Sequence, residues 1–325
     1  MESNSSDGAL RGRRRIRTGI TLAVCAPWVG FLVIRLFGLE SGTVLLALVA
    51  ATPVFAATAA LPLIVAAALR VWPAAGLAAV VAFVLVALVL PRAFGEPTEP
   101  AGSPGPTLQV LAANMRLGQA SAQPLVDLVN DLDVDVLSVE ELSPELAQEL
   151  KQLGLERVLA HHRLQPALGS GGSGIYSRLP ISSSELERLP GGFPLISVDV
   201  QPPGGVPVQI FSVHTNPPTT AGEWGQDLAA VPPASPTRIL LGDFNATLDH
   251  ADFRGVLDSG YDDAAETLGG ALAPTWPVGR RILPALFEID HVLAGSDVGI
   301  RAFSTHDLPD SDHHAVFAEL QLPAG

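Results

Sequence analysis

The sequence predicts an α/β domain carried on three transmembrane helices, and three observations carry that expectation. Residues 18 to 90 hold only Arg35, Glu40 and Arg70 as charged side chains. From Thr107 onward, short β-branched runs alternate with helical spacings and Gly/Pro turns. Between the two lies AFGEPTEPAGSPGP, residues 93 to 106, with prolines at 97, 100, 104 and 106, which cannot continue a helix.

A helix needs roughly 20 apolar residues to span about 30 Å of hydrocarbon. Three stretches qualify: Thr18 to Phe37, Thr43 to Leu69 and Val71 to Leu90. Arg35 is near enough to the end of the first to snorkel toward headgroups, and Pro53 and Pro62 are expected to kink the second. Arg11, Arg13, Arg14, Arg15 and Arg17 precede the first span, and Arg70 follows the second. The loop between the first two spans carries only Glu40. Positive charge therefore predicts a cytoplasmic N-terminus and, after three crossings, an extracytoplasmic C-terminal domain. A cleaved signal peptide shares the basic start, but two further spans follow at once. The expected organisation is a basic cytoplasmic N-terminus (1–17), a three-helix membrane region (18–92), a linker (93–106) and the outer domain (107–325). A Pro/Gly-rich linker of this kind acts as a semi-extended tether with a reach on the order of 40 Å.

The chain has 325 residues and a net charge of −14, unevenly spread. Residues 1 to 94 carry eight arginines against three acidic residues, whereas residues 95 to 325 carry eleven basic against thirty acidic residues and a net −19. That balance repels polyphosphate at long range, so nucleic acid is an unlikely partner. The lone cysteine, Cys25, excludes a disulfide framework and a cysteine zinc site.

In the outer domain LQVLAANM, DVDVLSVE, PLISVDV, VPVQIFSVHT, TRILLGD, FEIDHVLA and HAVFAEL read as strands. Gln123 to Asp131 and Pro144 to Leu153 read as helices. Polar residues cluster where strands end: Asn114, the pair Glu140 and Glu141, His214, and Asp243 with Asn245. Asp290 lies in EIDHVL, and Asp312 and His313 lie in the SDHH turn. Strand ends converge at one edge of a layered α/β fold, where ligand sites form. Singly, each has a bland reading as a turn, cap or solvated residue.

The ordered series NMR, VLSVEEL, SVHTNPP, LLGDFNAT, PTWP, EIDHVL, SDHHAV resembles the endonuclease/exonuclease/phosphatase superfamily. With its apolar N-terminal region the whole chain is similar to VanJ-type membrane proteins associated with glycopeptide resistance. The resemblance implies a four-layer α/β sandwich of the deoxyribonuclease I type and a divalent-metal-dependent hydrolase. It implies Asn114, Glu141 and Asp312 at a Mg²⁺ or Mn²⁺ site, His214 and Asn245 on phosphate, Asp243 on the attacking water, and Asp290 orienting His313. Glu140 stands where many members have Gln and is expected to add a negative charge beside the metal ligand. Arg116 stands where some members are acidic, which weakens the case for a second metal.

The chemistry asks for these residue types independently of the family. An anionic phosphoester repels hydroxide, so hydrolysis needs a hard cation, an oriented water and donors for developing charge. Whether Asp243 or His313 is the base is left open. His161, His162 and His250 read as surface residues and Asn216 as a turn residue. Arg280 and Arg281 are candidate phosphate contacts, and Trp276 is an apolar wall for a lipid or sugar, or a packing residue. The leading function is a phosphohydrolase acting on a lipid-linked phosphate or pyrophosphate at the membrane bilayer. The alternatives are an extracellular nuclease and a non-catalytic membrane-anchored binding module.

Overall fold

A computed structural model describes residues 3–279 and 285–325. Its strands in chain order are β1 (Pro104–Asn114), β2 (Val136–Glu140), β3 (His161–Gln165), β4 (Ser173–Ser177), β5 (Ile181–Arg188), β6 (Pro194–Val200), β7 (Val208–His214), β8 (Arg238–Asp243), β9 (Tyr261–Asp263), β10 (Asp290–Gly295), β11 (Gly299–His306) and β12 (Ala315–Pro323). The helices are α1 (Ser3–Phe37), α2 (Gly42–Val49), α3 (Thr52–Thr58), α4 (Ala60–Ala68), α5 (Trp72–Val89), α6 (Ala122–Asp131), α7 (Pro144–Gln152), α8 (Leu155–Val158), α9 (Ala221–Ala230), α10 (Ala251–Leu257) and α11 (Ala264–Thr267).

Alternation along β1 explains the layering. Leu108, Val110 and Ala112 face one core, while Leu111 and Ala113 face another. The first core lies between two six-stranded sheets, ordered β11-β12-β1-β2-β4-β3 and β5-β6-β7-β8-β10-β9. The second core packs α6 and α7 on the outer face of the first sheet, and a third packs α9 and α10 on the outer face of the second. Helix, sheet, sheet, helix is the four-layer sandwich. Each sheet has one parallel pair at its centre, β1 with β2 and β7 with β8. In register, Asn114 ends opposite Glu140 and His214 opposite Asp243, so both pairs deliver polar residues to one edge.

The N-terminal region departs from three straight spans. Two helices, Arg11–Phe37 and Trp72–Ala93, are long and apolar enough to cross a membrane. The middle stretch is bent by 57° between Gly42–Val49 and Thr52–Ala68 and makes a third span only if that bent pair counts as one. Pro53 causes the break: it has no N–H to offer the Val49 carbonyl, which instead accepts from the Thr52 hydroxyl at 2.7 Å. Before the break, α2 belongs to the C-terminal domain. Leu46 is buried in the third core beside Trp224 and Phe253, and its carbonyl accepts from His250 Nε2 at 3.1 Å.

Two further expectations fail at this junction. Arg35 does not snorkel: its Nε donates to Asp249 at 2.8 Å, and Arg92 grips the same carboxylate through both terminal nitrogens at 2.9 and 2.7 Å. Residues 93 to 106 are not a free tether either. Gly95 bridges Leu268, Thr98 and Ile300 exchange two hydrogen bonds of 2.9 Å, and Ala101 N donates to Asp297 O at 3.1 Å. Proline removes donors at 97 and 100, but the amides of Thr98 and Ala101 still reach carbonyls of β11 and the turn before it.

Candidate active site

The edge formed by the parallel pairs collects most of the strand-end residues. Asn114 donates Nδ2 to Asp243 Oδ2 at 2.9 Å and accepts the Arg116 N–H at 2.9 Å, a contact that fixes the amide orientation. Asp243 Oδ1 accepts the Asn245 N–H at 2.8 Å, and Asn245 Nδ2 donates to Thr215 O at 3.0 Å. His214 Nε2 stands 3.8 Å from Asp243 Oδ2 and 4.0 Å from Glu141 Oε1. Asp290, paired across β8 and β10 with Asp243, holds His313 Nδ1 at 3.0 Å, while His313 Nε2 faces Asp243 at 3.8 Å. Ligand atoms of Asp243, Asp290 and His313 all lie within 4.8 Å of one another.

Local backbone geometry aims these groups. Glu141 and Asn245 adopt left-handed φ values of 57° and 49°, uncommon for residues with a side chain and concentrated at functional sites. The turn at Glu141 brings its Oε2 onto the Leu117 N–H at 2.5 Å and leaves Oε1 toward His214. Gly242 is required by close approach, because a Cβ there would stand 2.1 Å from Val213 O. Asp312 is one quarter exposed at the rim, 3.9 Å from Arg116 Nε.

Burial sorts the protonation states. Asp243 is pushed up to about 7 by burial and by Asp290, against the lowering effect of His313. For His313 burial acts downward but is outweighed by Asp290 and Asp243, which bring it to about 10. His214 is driven down to about 3 by burial and by the His313 charge, so it is neutral. The site therefore pairs a cationic imidazole with a carboxylate able to take a proton near neutrality.

Glu140 corrects the expectation that it adds charge. It is fully buried inside the sheet, where burial, reinforced by Asp290 and Asp243, holds its carboxyl well above the ordinary range. The neutral acid accepts from Ser138, whose hydroxyl is 2.7 Å from Ser212, which in turn is 2.8 Å from Ser173. A neutral Glu is close to a Gln in shape and polarity. Glu140→Gln is therefore expected to keep activity within about twofold, whereas Glu140→Ala, which strands the serines, is expected to cost about 2–4 kcal/mol. A turnover assay checks the first and chemical denaturation the second; a Gln variant as inactive or as unstable as the Ala one would show that the carboxyl itself is required.

Sequence reasoning missed the groups that hold the site from behind. Thr275 Oγ1 accepts from Ile289 N at 3.0 Å and Asp290 N at 3.3 Å, and Ser311 donates to Asn114 O while accepting His313 N. Nothing in their spacing marks them, although Thr275 lies in the PTWP segment. The Trp276 ring lies 6.4 Å from that of His313. His250 is buried against Trp224, not on the surface, because it caps α10 and bonds α2. Asn216 is a turn residue, tied to Asp227 at 2.9 Å. Arg280 and Arg281 lie outside the described residues. A second buried cluster, Asp263, Glu288 and His291, was not foreseen. Both His291 nitrogens are spent, on Asp263 at 2.8 Å and Ala246 O at 2.9 Å, so the cluster is a structural ion pair.

The endonuclease/exonuclease/phosphatase family model matches residues 111–313, most of the C-terminal domain and more than half of the chain. The chain belongs to this family. Solved structures agree at the level of fold. D. rerio TDP2 complexed with single-strand DNA product is 18% identical over 66% of this chain and 98% of its own, with a TM-score of 0.54. A family member from Bacteroides thetaiotaomicron is 16% identical over 68% and 100%, with a TM-score of 0.54. The mannosyl-6-phosphatase of the same organism is 16% identical over 66% and 99%, with a TM-score of 0.51. Members with this fold thus include phosphatases and DNA-binding proteins. None of the curated proteins searched matches the chain.

Proposed function

We propose that this protein is a membrane-anchored, divalent-metal-dependent phosphohydrolase whose substrate is a lipid-linked phosphate or pyrophosphate. One observation carries the reading. The C-terminal end of α1 and the turn that follows α5 meet at Asp249, six residues after Asp243 in the loop that leaves β8, so the polar edge is held beside the membrane region. Because α1 and α5 end at the same carboxylate, the chain between them must return, which favours α3 and α4 as a crossing. The arginines before the first span then favour an extracytoplasmic domain. A protease added to intact cells should remove a tag fused after Gly325; a protected tag counts against this orientation. Similarity to VanJ-type proteins extends the reading to cell-wall lipids and glycopeptide resistance.

In this reading Asp243 takes the proton of the attacking water, and His313, held cationic by Asp290, donates to the phosphoryl or leaving-group oxygen. His214 and Asn245 face the phosphate oxygens. Glu141 Oε1 and Asp312 offer hard oxygen donors without soft ligands, a set suited to Mg²⁺ or Mn²⁺, which would polarise the phosphoryl group when bound. Asn114 positions Asp243 with the amide that would otherwise face such an ion.

A nuclease is the second reading, since a fold neighbour is complexed with DNA. In residues 95 to 325, thirty carboxylates against ten arginines and Lys151 disfavour it. The full chain in detergent should hydrolyse a short polyprenyl phosphate or pyrophosphate with kcat/KM at least about 10²-fold above that for plasmid DNA, and Glu141→Ala should abolish the metal-dependent part. Efficient DNA cleavage at physiological salt with the lipids untouched would replace the lipid reading with the nuclease one.

A further inference from the structure

Between the membrane helices and the C-terminal domain lies a groove of about 550 Å³, within the size range of small-molecule sites. Pro53, Val54 and Ala57 of α3, Val86 of α5 and Leu90 just after it form one wall, and Phe287 of the C-terminal domain forms the opposite wall. Val54, Ala57, Val86 and Leu90 are exposed, so the groove opens along two helices whose apolar side chains face outward.

We infer that this groove takes the hydrocarbon chain of the amphiphile whose phosphate enters the Asp243–His313 site, an assignment that rests on the lipid-phosphate reading. Continuity between groove and site supports it. Trp276 N donates to Phe287 O at 2.9 Å, their rings stack with centroids 6.2 Å apart, and Trp276 is 6.4 Å from the His313 ring. Phe287 thus faces the groove two ring contacts from the reacting centre, and Thr275, next to Trp276, anchors Asp290. One molecule can therefore keep its chain against α3 and α5 while its phosphate meets His313. The polar residues on the groove floor do not oppose an apolar occupant. Arg92 is spent on Asp249, and burial pushes the carboxyl of Glu288, in the same wall, well above its ordinary value.

The test uses the full chain in lipid nanodiscs and an alkyl phosphate with a mid-chain diazirine as probe. Photolysis should label Leu272, Leu286 or Phe287, in the C-terminal domain, and excess unlabelled alkyl phosphate should compete the label away. Ala57→Trp and Val86→Trp, which fill the groove from separate helices, should each reduce that labelling at least fivefold. Hydrolysis of a long-chain alkyl phosphate should fall at least about fivefold further in both variants than that of a short, water-soluble one. Labelling confined to lipid-facing positions such as Val80 and Phe83, or undiminished in both tryptophan variants, overturns the groove assignment. Groove labelling that persists while no phosphate is hydrolysed leaves the groove standing and removes the hydrolase reading.

Discussion

Replacing His313 by Ala is expected to lower turnover of a phosphoester substrate by about 10²–10⁴-fold, the range for loss of a positioned general acid or base. The side chain is buried, held at 3.0 Å by Asp290 and aimed at Asp243 from 3.8 Å, and among the described residues it is the one cation in the cluster it forms with these two carboxylates. Its proton is retained up to about pH 10, whereas Asp243 releases its own near 7. Turnover that needs Asp243 ionised and His313 protonated should rise through about pH 7 and fall through about pH 10. The variant should lose the alkaline limb. It should also shift the acid limb upward, because the His313 charge is one of the effects that lower Asp243. The same charges bear on stability. A histidine raised above its ordinary value near 6.5 contributes stability that is complete below that pH and lost as pH rises through about 10. A pH–rate profile of His313→Ala that keeps wild-type shape and height would remove His313 from the chemistry.

The sequence announces the polar edge because strands buried on both faces read as continuous apolar runs, and a polar residue interrupting them is conspicuous. LQVLAAN and RILLGD are such cases, ending in Asn114 and Asp243. The edge strands were illegible for the opposite reason. β3 is HHRLQ and β5 is ISSSELER, largely polar and exposed, as a sheet border must be to avoid pairing with another chain. β11 has no strict alternation, since it carries a register shift between Ile300 and Ala302. Helical spacing in α6 and α7 was readable because only one face of each is buried, whereas α10 has seven residues, too few for a period to emerge. The raised carboxyl of Glu140 depends on its burial between the sheets and on Asp290 and Asp243 from β10 and β8, which no local pattern connects.

The junction between the N-terminal helices and the C-terminal domain gives the largest expected stability effect. Asp249 is 1% exposed and receives Arg35 at 2.8 Å and Arg92 at 2.7 and 2.9 Å, from helices 157 and 214 residues away in sequence. Burial alone would raise its carboxyl, but Arg92 and Arg35 outweigh burial and bring it below its ordinary value. A depressed carboxylate contributes stability that is present above its unfolded pKa and lost as pH falls through its lower folded value. The clamp should therefore hold at neutral pH and loosen only in strong acid. Asp249→Asn keeps the shape but leaves two guanidinium groups buried without a counter-charge, at a cost of about 3–5 kcal/mol. The thermal transition of the full chain in nanodiscs should fall accordingly, and the segment around Gly95 should become sensitive to protease as the domain leaves the helix ends. On the proposed membrane-anchored reading, turnover of a membrane-held phosphate should drop more than that of a soluble one, because only the former would depend on how the domain is held relative to the helices. Replacing Arg35, Asp249 and Arg92 together by Leu should recover much of the stability, since an apolar cluster needs no desolvation of charge. If Asn at 249 leaves both the transition and the protease pattern unchanged, the two arginines find other partners and the domain is not clamped by this carboxylate.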